Sequence, residues 1–257
     1  MSAIGPDFLW VYAFMYNEAG AQYDMLSYFL RHYSRFPRTK IIIYFDSDNS
    51  DNGPELCKAY PQVEVRTSPM DGPADLQRAN WISKQVREAQ GQTEWVLQVD
   101  ADEFIWHPDL PQHLHRRRAE GHLLLRPLDG YVMYAEQFPA TPGQIYDEVF
   151  MGMKDPGVGK PTLMDARVLV KWIAGRHQVV ASSQPVFGDP EITWMHFRHL
   201  SPAYIESRNA KSYQRQDAIN LAMRHGFQVN PEELENNLRY WRELKTKSVE
   251  VNPNGLR

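Results

Sequence analysis

Apolar residues over the first hundred positions fall into continuous runs separated by helical stripes. Three runs read as buried strands: Leu9-Trp10-Val11-Tyr12-Ala13-Phe14, Ile41-Ile42-Ile43-Tyr44-Phe45 and Trp95-Val96-Leu97-Gln98-Val99. They lack strict polar alternation, as expected of parallel strands covered on both faces. Between the first two, Met25, Leu26, Phe29, Leu30 and Tyr33 share one helical face. Before the third, Leu76, Ala79, Ile82, Val86 and Ala89 recur at helical spacing, and Val63-Glu64-Val65 predicts a short strand. The order β-α-β-β-α-β predicts an α/β fold: an open, mostly parallel sheet with helices on both faces.

The pattern changes after about residue 107. Short strand candidates, Leu123-Leu124-Leu125, Val168-Leu169-Val170 and Ile192-Thr193-Trp194, stand between loops rich in Gly, Pro and Asp. Two C-terminal helices are predicted, one from Ala218 to His225 and one from about Pro231 to Lys247. The second places Leu234, Leu238, Trp241 and Leu244 on one face, with Pro231 early and Glu232-Glu233 in its first turn. There is no repeat and no low-complexity linker, so residues 1–257 read as a single domain.

Composition narrows the function. Hydrophobic residues make up 42% and charged residues 23% of the 257, an ordinary globular balance. The net charge of −4 argues against a general nucleic-acid partner. With Cys57 the single cysteine, no internal disulfide can form, and a reducing, cytoplasmic setting is expected. Met1 to Asp7 lacks the pattern of a signal peptide, and no apolar stretch approaches the length of a spanning helix. Any membrane contact is expected to be peripheral.

Each predicted strand of the first half runs into ligand-capable residues: Tyr16-Asn17-Glu18, Asp46-Ser47-Asp48-Asn49 and Asp100-Ala101-Asp102-Glu103. Open α/β sheets bind ligands outside the carboxyl ends of their strands, so the three clusters are expected to converge on one crevice. Asp100 and Asp102, one residue apart at a strand end, can both turn toward one hard cation. Mg²⁺ and Mn²⁺ take oxygen ligands and share phosphate oxygens, which suits departure of a nucleoside diphosphate. The Asp46 loop also places Asp46, Asp48 and Ser50 like the first ligands of an EF-hand. Asp51 and Cys57 stand where that motif needs Gly and Glu, which rejects it.

Four motifs in order carry a resemblance. They are Asn17-Glu18, then Phe45-Asp46-Ser47-Asp48-Asn49-Ser50-Asp51, then Arg78-Ala79-Asn80, then Trp95-Val96-Leu97-Gln98-Val99-Asp100-Ala101-Asp102-Glu103-Phe104. Residues 8–106 resemble a glycosyltransferase of family 2 type with a GT-A fold, in the branch that spells D-x-D-E-F. Downstream, Lys160-Pro161, Lys171, Gly175-Arg176-His177 and His196-Phe197-Arg198-His199-Leu200-Ser201 continue it. The resemblance implies a nucleotide-sugar-binding half over about 1–106, an acceptor and metal-completing half over about 107–210, and C-terminal helices over about 211–257. It implies a hexosyltransferase-like enzyme moving a sugar from a nucleotide sugar, a UDP-sugar, to a glycan or other hydroxyl acceptor with inversion, in the setting of bacterial surface polysaccharide biosynthesis. Asp46, Asp48, Arg78, Asn80, Asp100, Lys160 and Lys171 are the implied donor contacts, with Arg176 as a further cation. Asn17 and Glu18 either bind the donor or shape the first loop. Asp100, Asp102 and either His196 or His177 would hold Mn²⁺ or Mg²⁺.

An inverting transferase needs a base for the acceptor hydroxyl. The family's Glu-Asp pair is absent after the D-x-D, which leaves Glu148, Asp147, Asp165 and Glu136 as candidates. Trp106 and Trp172 are possible sugar-stacking rings. His113 to Arg118 reads as a solvated basic helix face, with docking to anionic lipid or acidic glycan as the alternative. A nucleotidyltransferase, and a non-catalytic nucleotide- or glycan-binding protein, are the competing readings.

Overall fold

The computed structural model describes residues 7–19, 23–70, 75–140, 142–213 and 234–251. The helix expected at Ala218 to His225, and the Pro231 to Glu233 start of the last helix, lie outside the described residues.

The centre is a parallel block. Strands β1 (Asp7–Met15), β2 (Thr39–Phe45), β3 (Val63–Thr67) and β4 (Thr93–Gln98) stand in the order β4-β1-β2-β3. Side-chain alternation explains why β1 tolerates no polar interior position. Its Leu9, Val11, Ala13 and Met15 enter one core, while Trp10, Tyr12 and Phe14 enter a second core on the other face. Helix α1 (Met25–Tyr33) covers the first face with the apolar stripe predicted for it, and the Asp24 carboxylate caps it by accepting from the Ser27 N–H at 3.0 Å. Helix α3 (Asp75–Ala89) covers the second through Ala79, Ile82, Val86 and Ala89. A short helix, α2 (Gly53–Cys57), supplies the crossover between β2 and β3 and was not anticipated from the pattern.

The sheet continues beyond β4 with antiparallel neighbours. These are β8 (Leu163–Asp165), β6 (Leu124–Tyr134), β7 (Met151–Lys154) and β12 (Val249–Glu250). Strand β11 (Phe187–His199) runs parallel to β6 and antiparallel to β5 (Glu103–Trp106). The short strands expected at 123–125 and 192–194 are therefore parts of strands of 11 and 13 residues. Pro127 and Gly130 in β6, and Gly188 and Pro190 in β11, interrupt the apolar pattern. The pairing register shifts there, between Asp189 and Thr193. Strands β9 (Val170–Trp172) and β10 (Val179–Ser182) form a separate ribbon.

Helices α4 (Leu110–Ala119), α5 (Ile145–Glu148), α6 (Pro202–Tyr213) and α7 (Leu234–Lys247) complete the described elements. On α7, Leu244 is buried and the Trp241 indole N–H donates to the Ala135 carbonyl at 3.1 Å. Trp241 thus faces its own chain. The arrangement is the mixed α/β fold with a largely parallel central sheet that the pattern predicts.

Candidate active site

The chain runs β1 to β2 to β3 in one direction and then crosses to β4 on the other side of β1. The crevice at such a reversal is where open α/β sheets bind ligands. Asp100 and Asp102 stand there, just past β4. The turn is fixed from both sides. The Glu103 N–H donates to the Asp100 carbonyl at 3.1 Å, and the Glu103 carboxylate accepts from the Asp100 N–H at 2.9 Å. The Phe197 N–H of β11 donates to the Asp102 carbonyl at 2.8 Å, which brings His196 to the same turn.

Both aspartates are matched by cations. The buried Lys160 ammonium lies 2.7 Å from one Asp100 oxygen and 2.6 Å from Glu103. The buried Arg176 guanidinium holds the other Asp100 oxygen. Gly175 and Arg176 both adopt left-handed backbone, at φ 74° and 62°. A non-glycine residue holds that conformation against a steric penalty, and here it aims the guanidinium inward. Asp102 pairs with Arg208 of α6 at 2.8 Å and lies 3.4 Å from the His196 Nε2. Burial works to raise the Asp100 carboxyl, but Arg176 and Lys160 outweigh it and hold it well below the usual carboxylate range. Burial is likewise outweighed at Asp102, by Arg208 and then His196.

Other expected residues join them. Asp46 is buried, and Arg78 reaches its two oxygens at 3.2 Å while lying 4.9 Å over the Phe14 ring. Asp48 and Asn80 are exposed. Asn17 clamps the loop: its side-chain oxygen accepts from the Ser50 and Asp51 N–H groups at 2.9 and 3.1 Å, and its own N–H donates to Asn49 at 2.8 Å. Of the two roles open to Asn17, its contacts are those of loop shaping. Glu18 sits beside Arg208 and Asp102, and burial pushes its carboxyl up to about 7. His177 is exposed, within electrostatic reach of Asp100 and His196.

The candidate bases separate clearly. Glu148 is half-buried, accepting from the Tyr28 hydroxyl at 3.2 Å and the Ala140 N–H at 3.3 Å. It lines a cavity of about 430 Å³ with Tyr134, Glu136, Phe138 and Phe150. Phe138 packs against both Tyr28 and Tyr204, the latter on α6 four residues before Arg208. Asp147 is exposed and spends its carboxylate on the Gln144 N–H, capping α5. Glu136 is paired with Lys245 at 2.5 Å.

Several expected residues stand apart from the crevice. Asp165 pairs in register with Trp95, on the order of 10 Å before β4 ends. It is neutralised there by Arg118 and Arg167 at 2.7 and 2.8 Å, a structural ion cluster outside the crevice. Lys171 is exposed on β9. Trp106 and Trp172 are core residues, 6% and 1% exposed, and neither offers a ring face to a sugar. His113 and Arg117, expected on a solvated face, are buried: Asp189 lies in hydrogen-bond contact with the His113 ring, and Asp189 and Glu191 neutralise Arg117.

The pattern did not single out α6 as part of the site. Its Tyr204, Arg208 and Lys211 recur at helical spacing of four and three, and Lys211 donates to the Asn17 carbonyl at 3.2 Å. That stripe, directly after His196 to Ser201, was the available signal. Arg198 is the other addition. It makes no hydrogen bond or ion pair among the described residues, and burial with the neighbouring Arg208 brings its pKa down to about 10. It remains charged at neutral pH, with Asp102 and Asp100 within electrostatic reach but no carboxylate in direct contact among the described residues.

A divalent cation fits part of this arrangement. Asp102 and His196 present a carboxylate oxygen and an imidazole nitrogen 3.4 Å apart, a donor pair such ions accept. Asp100 does not fit as a ligand while Lys160 and Arg176 hold both its oxygens.

Neither a protein-family model nor a curated protein sequence matches the chain. Among solved structures it is similar to S. aureus TarS at 13% identity, covering 79% of this chain and 38% of that one with a TM-score of 0.44. TarS 1–349 in complex with UDP matches at 13% identity, over 79% of this chain and 63% of that one, with a TM-score of 0.45. A 4-diphosphocytidyl-2C-methyl-D-erythritol synthase matches at 15% identity, over 62% of this chain and 76% of that one, with a TM-score of 0.34. The chain thus spans 38% and 63% of the two TarS structures.

Proposed function

We propose that this protein is a glycosyltransferase of the D-x-D-E-F branch, moving a sugar from a UDP-sugar to a glycan hydroxyl with inversion. What supports the reading is that Asp46–Arg78 and Asp102–His196 lie past the carboxyl ends of β2 and β4, the two strands flanking β1, with Arg198 within electrostatic reach of Asp100 and Asp102. Asp46 and Arg78 would receive the nucleoside, with Asp48 and Asn80 at the exposed rim. Arg198, in no direct ion pair among the described residues, would pair with a diphosphate, and Lys160 and Arg176 keep the adjacent Asp100 in place. Asp102 and His196 would hold Mn²⁺ or Mg²⁺, which when bound neutralises charge on the departing diphosphate. Glu148, in the cavity across the Phe138–Tyr204 contact, is the proposed base that takes the proton of the acceptor hydroxyl as it attacks the anomeric carbon. In this reading residues 1–106 hold the donor, 107–210 the metal and acceptor, and the remaining helices close one domain that works in the cytoplasm.

The deciding experiment is a thermal-shift titration with UDP, with and without Mn²⁺, followed by an assay for UDP release from UDP-sugars. A ligand that binds only the folded chain raises its apparent stability. A metal-enhanced rise and UDP release support the transferase. Pyrophosphate release from a nucleoside triphosphate and a sugar phosphate would instead establish the nucleotidyltransferase, and binding without turnover the non-catalytic reading.

A further inference from the structure

Beyond the crevice, at the opposite end of β5 and β11, three ligand-type side chains from separate segments meet. His107 follows β5, His113 lies on α4, and Glu191 sits in the β11 irregularity. One ligand atom from each lies within 4.8 Å of the others. We propose that His107, His113 and Glu191 form a second metal site, for a zinc-class divalent ion, independent of the nucleotide-sugar reading.

The chemistry of His113 carries the proposal. Its Nε2 lies 2.7 Å from the Asp189 carboxylate, and both side chains are fully buried. Arg117 braces that carboxylate through both oxygens, at 2.9 and 3.1 Å. An ionised carboxylate on Nε2 keeps the proton there and leaves the Nδ1 lone pair to face Glu191, 3.9 Å away. Metal-bound imidazoles are typically oriented by such a carboxylate on the other nitrogen. The His107 ring packs at 4.2 Å from the His113 ring, so its imidazole enters the same space. Two imidazole nitrogens and one carboxylate, completed by water, make a donor set suited to Zn²⁺.

Three features compete with the ion, and they make the proposal testable. The buried Arg117 holds one Glu191 oxygen at 2.6 Å, so Glu191 can ligate through its other oxygen alone, and only when Arg116 leaves it. The Arg116 guanidinium donates to the His113 Nδ1 at 2.9 Å and pairs with Glu191 at 2.6 Å, occupying the position a metal would take. Arg116 is about half exposed, at 49%, so it can swing into solvent. His107 accepts from the Asp109 N–H at 3.0 Å through its Nδ1, and ligation through Nε2 exchanges that hydrogen bond for a metal bond. The ion would tie the β5–α4 turn to the start of β11, the two strands that carry Glu103 and His196 at their other ends.

The test is calorimetric titration of Zn²⁺ into the chelator-treated full chain, with Co²⁺ as the spectroscopic stand-in. One tight saturable equivalent is expected, distinct from any binding at Asp102 and His196, with the absorption of low-coordinate Co²⁺. His107→Ala and Glu191→Gln should each weaken it by at least about tenfold. These two variants remove partly exposed groups, whereas His113→Ala also strips a partner from buried Asp189. Arg116→Gln should tighten Zn²⁺ binding, an outcome a merely structural ion cluster does not give. His196→Ala should leave it unchanged. Absence of saturable binding would overturn the proposal, as would binding lost in His196→Ala but kept in His107→Ala, or unaltered by Arg116→Gln.

Discussion

Arg208 reaches across from α6 to within 2.8 Å of the Asp102 carboxylate that also faces His196. The guanidinium and a divalent ion therefore compete for one oxygen. Asp102→Ala is expected to abolish turnover and the Mn²⁺-dependent thermal shift while the circular dichroism spectrum is kept. In Arg208→Met the competitor is gone and the buried Asp102 has lost its cation, at a cost of about 3 kcal/mol. Mn²⁺ should then raise the melting temperature more in Arg208→Met than in the parent. An equal or smaller rise would place the ion elsewhere.

Lys160 joins two acids that burial would otherwise set against each other. Its removal leaves Asp100 to Arg176 alone and Glu103 without a cation. Breaking such a pair from one side costs about 3–5 kcal/mol, because the stranded charge stays buried. Lys160→Met should therefore lower the urea midpoint strongly. Restoring the balance in the double variant Lys160→Met/Glu103→Gln should recover part of the loss, and no recovery would mean that Lys160 contributes by packing rather than by charge.

Glu148 offers a separation of chemistry from fold. It is half-buried in a cavity, its oxygens accepting from Tyr28 and the Ala140 backbone. Glu148→Gln keeps the shape and removes the basicity. If it takes the acceptor proton, kcat should fall by about 10²–10⁴ with little change in donor binding or melting temperature. Asp165→Asn, in its ion cluster away from the crevice, should change stability and leave the ratio of kcat to KM at its folded value. A Glu148→Gln enzyme of near-parental kcat would move the base to another group.

The first hundred residues were legible because β1, β2 and β4 are buried on both faces, and continuous apolar runs are what such strands require. The acidic strand ends followed from the same topology. The second half was harder for a physical reason. Strands β6 and β11 carry Pro127, Gly130, Gly188 and Pro190 at irregular pairings, so neither reads as a long strand. Charge neutralisation was also invisible. His113 and Arg117 look like a solvated face until Asp189, 76 and 72 residues onward, is placed against them. The cations on Asp100 and Asp102 come from positions 160, 176 and 208, and a D-x-D read locally looks like two free ligands.

Glu18 links the site to pH. Burial raises its carboxyl from 4.5 to about 7 in the folded chain, against the pull of Arg208, so the folded state binds this proton more tightly than the unfolded chain does. The sign follows directly: between those values the native state carries more protons, and stability falls as pH rises. Glu18's contribution is therefore full below about 4.5 and lost as pH climbs through about 7. Glu18→Gln cannot titrate, and should remove that part of the slope while other groups keep theirs. Urea unfolding at pH 5 and pH 8 measures it: the stability lost between the two should be smaller in Glu18→Gln than in the parent. If the diphosphate binds at Arg198 as proposed, its negative charge joins the cluster that Glu18 shares with Arg208 and Asp102, and UDP should bind Glu18→Gln more tightly than the parent at pH 8 and the two equally at pH 5. Parallel stability slopes in the two proteins would show that solvent screens Glu18 and that its carboxyl titrates as in the unfolded chain.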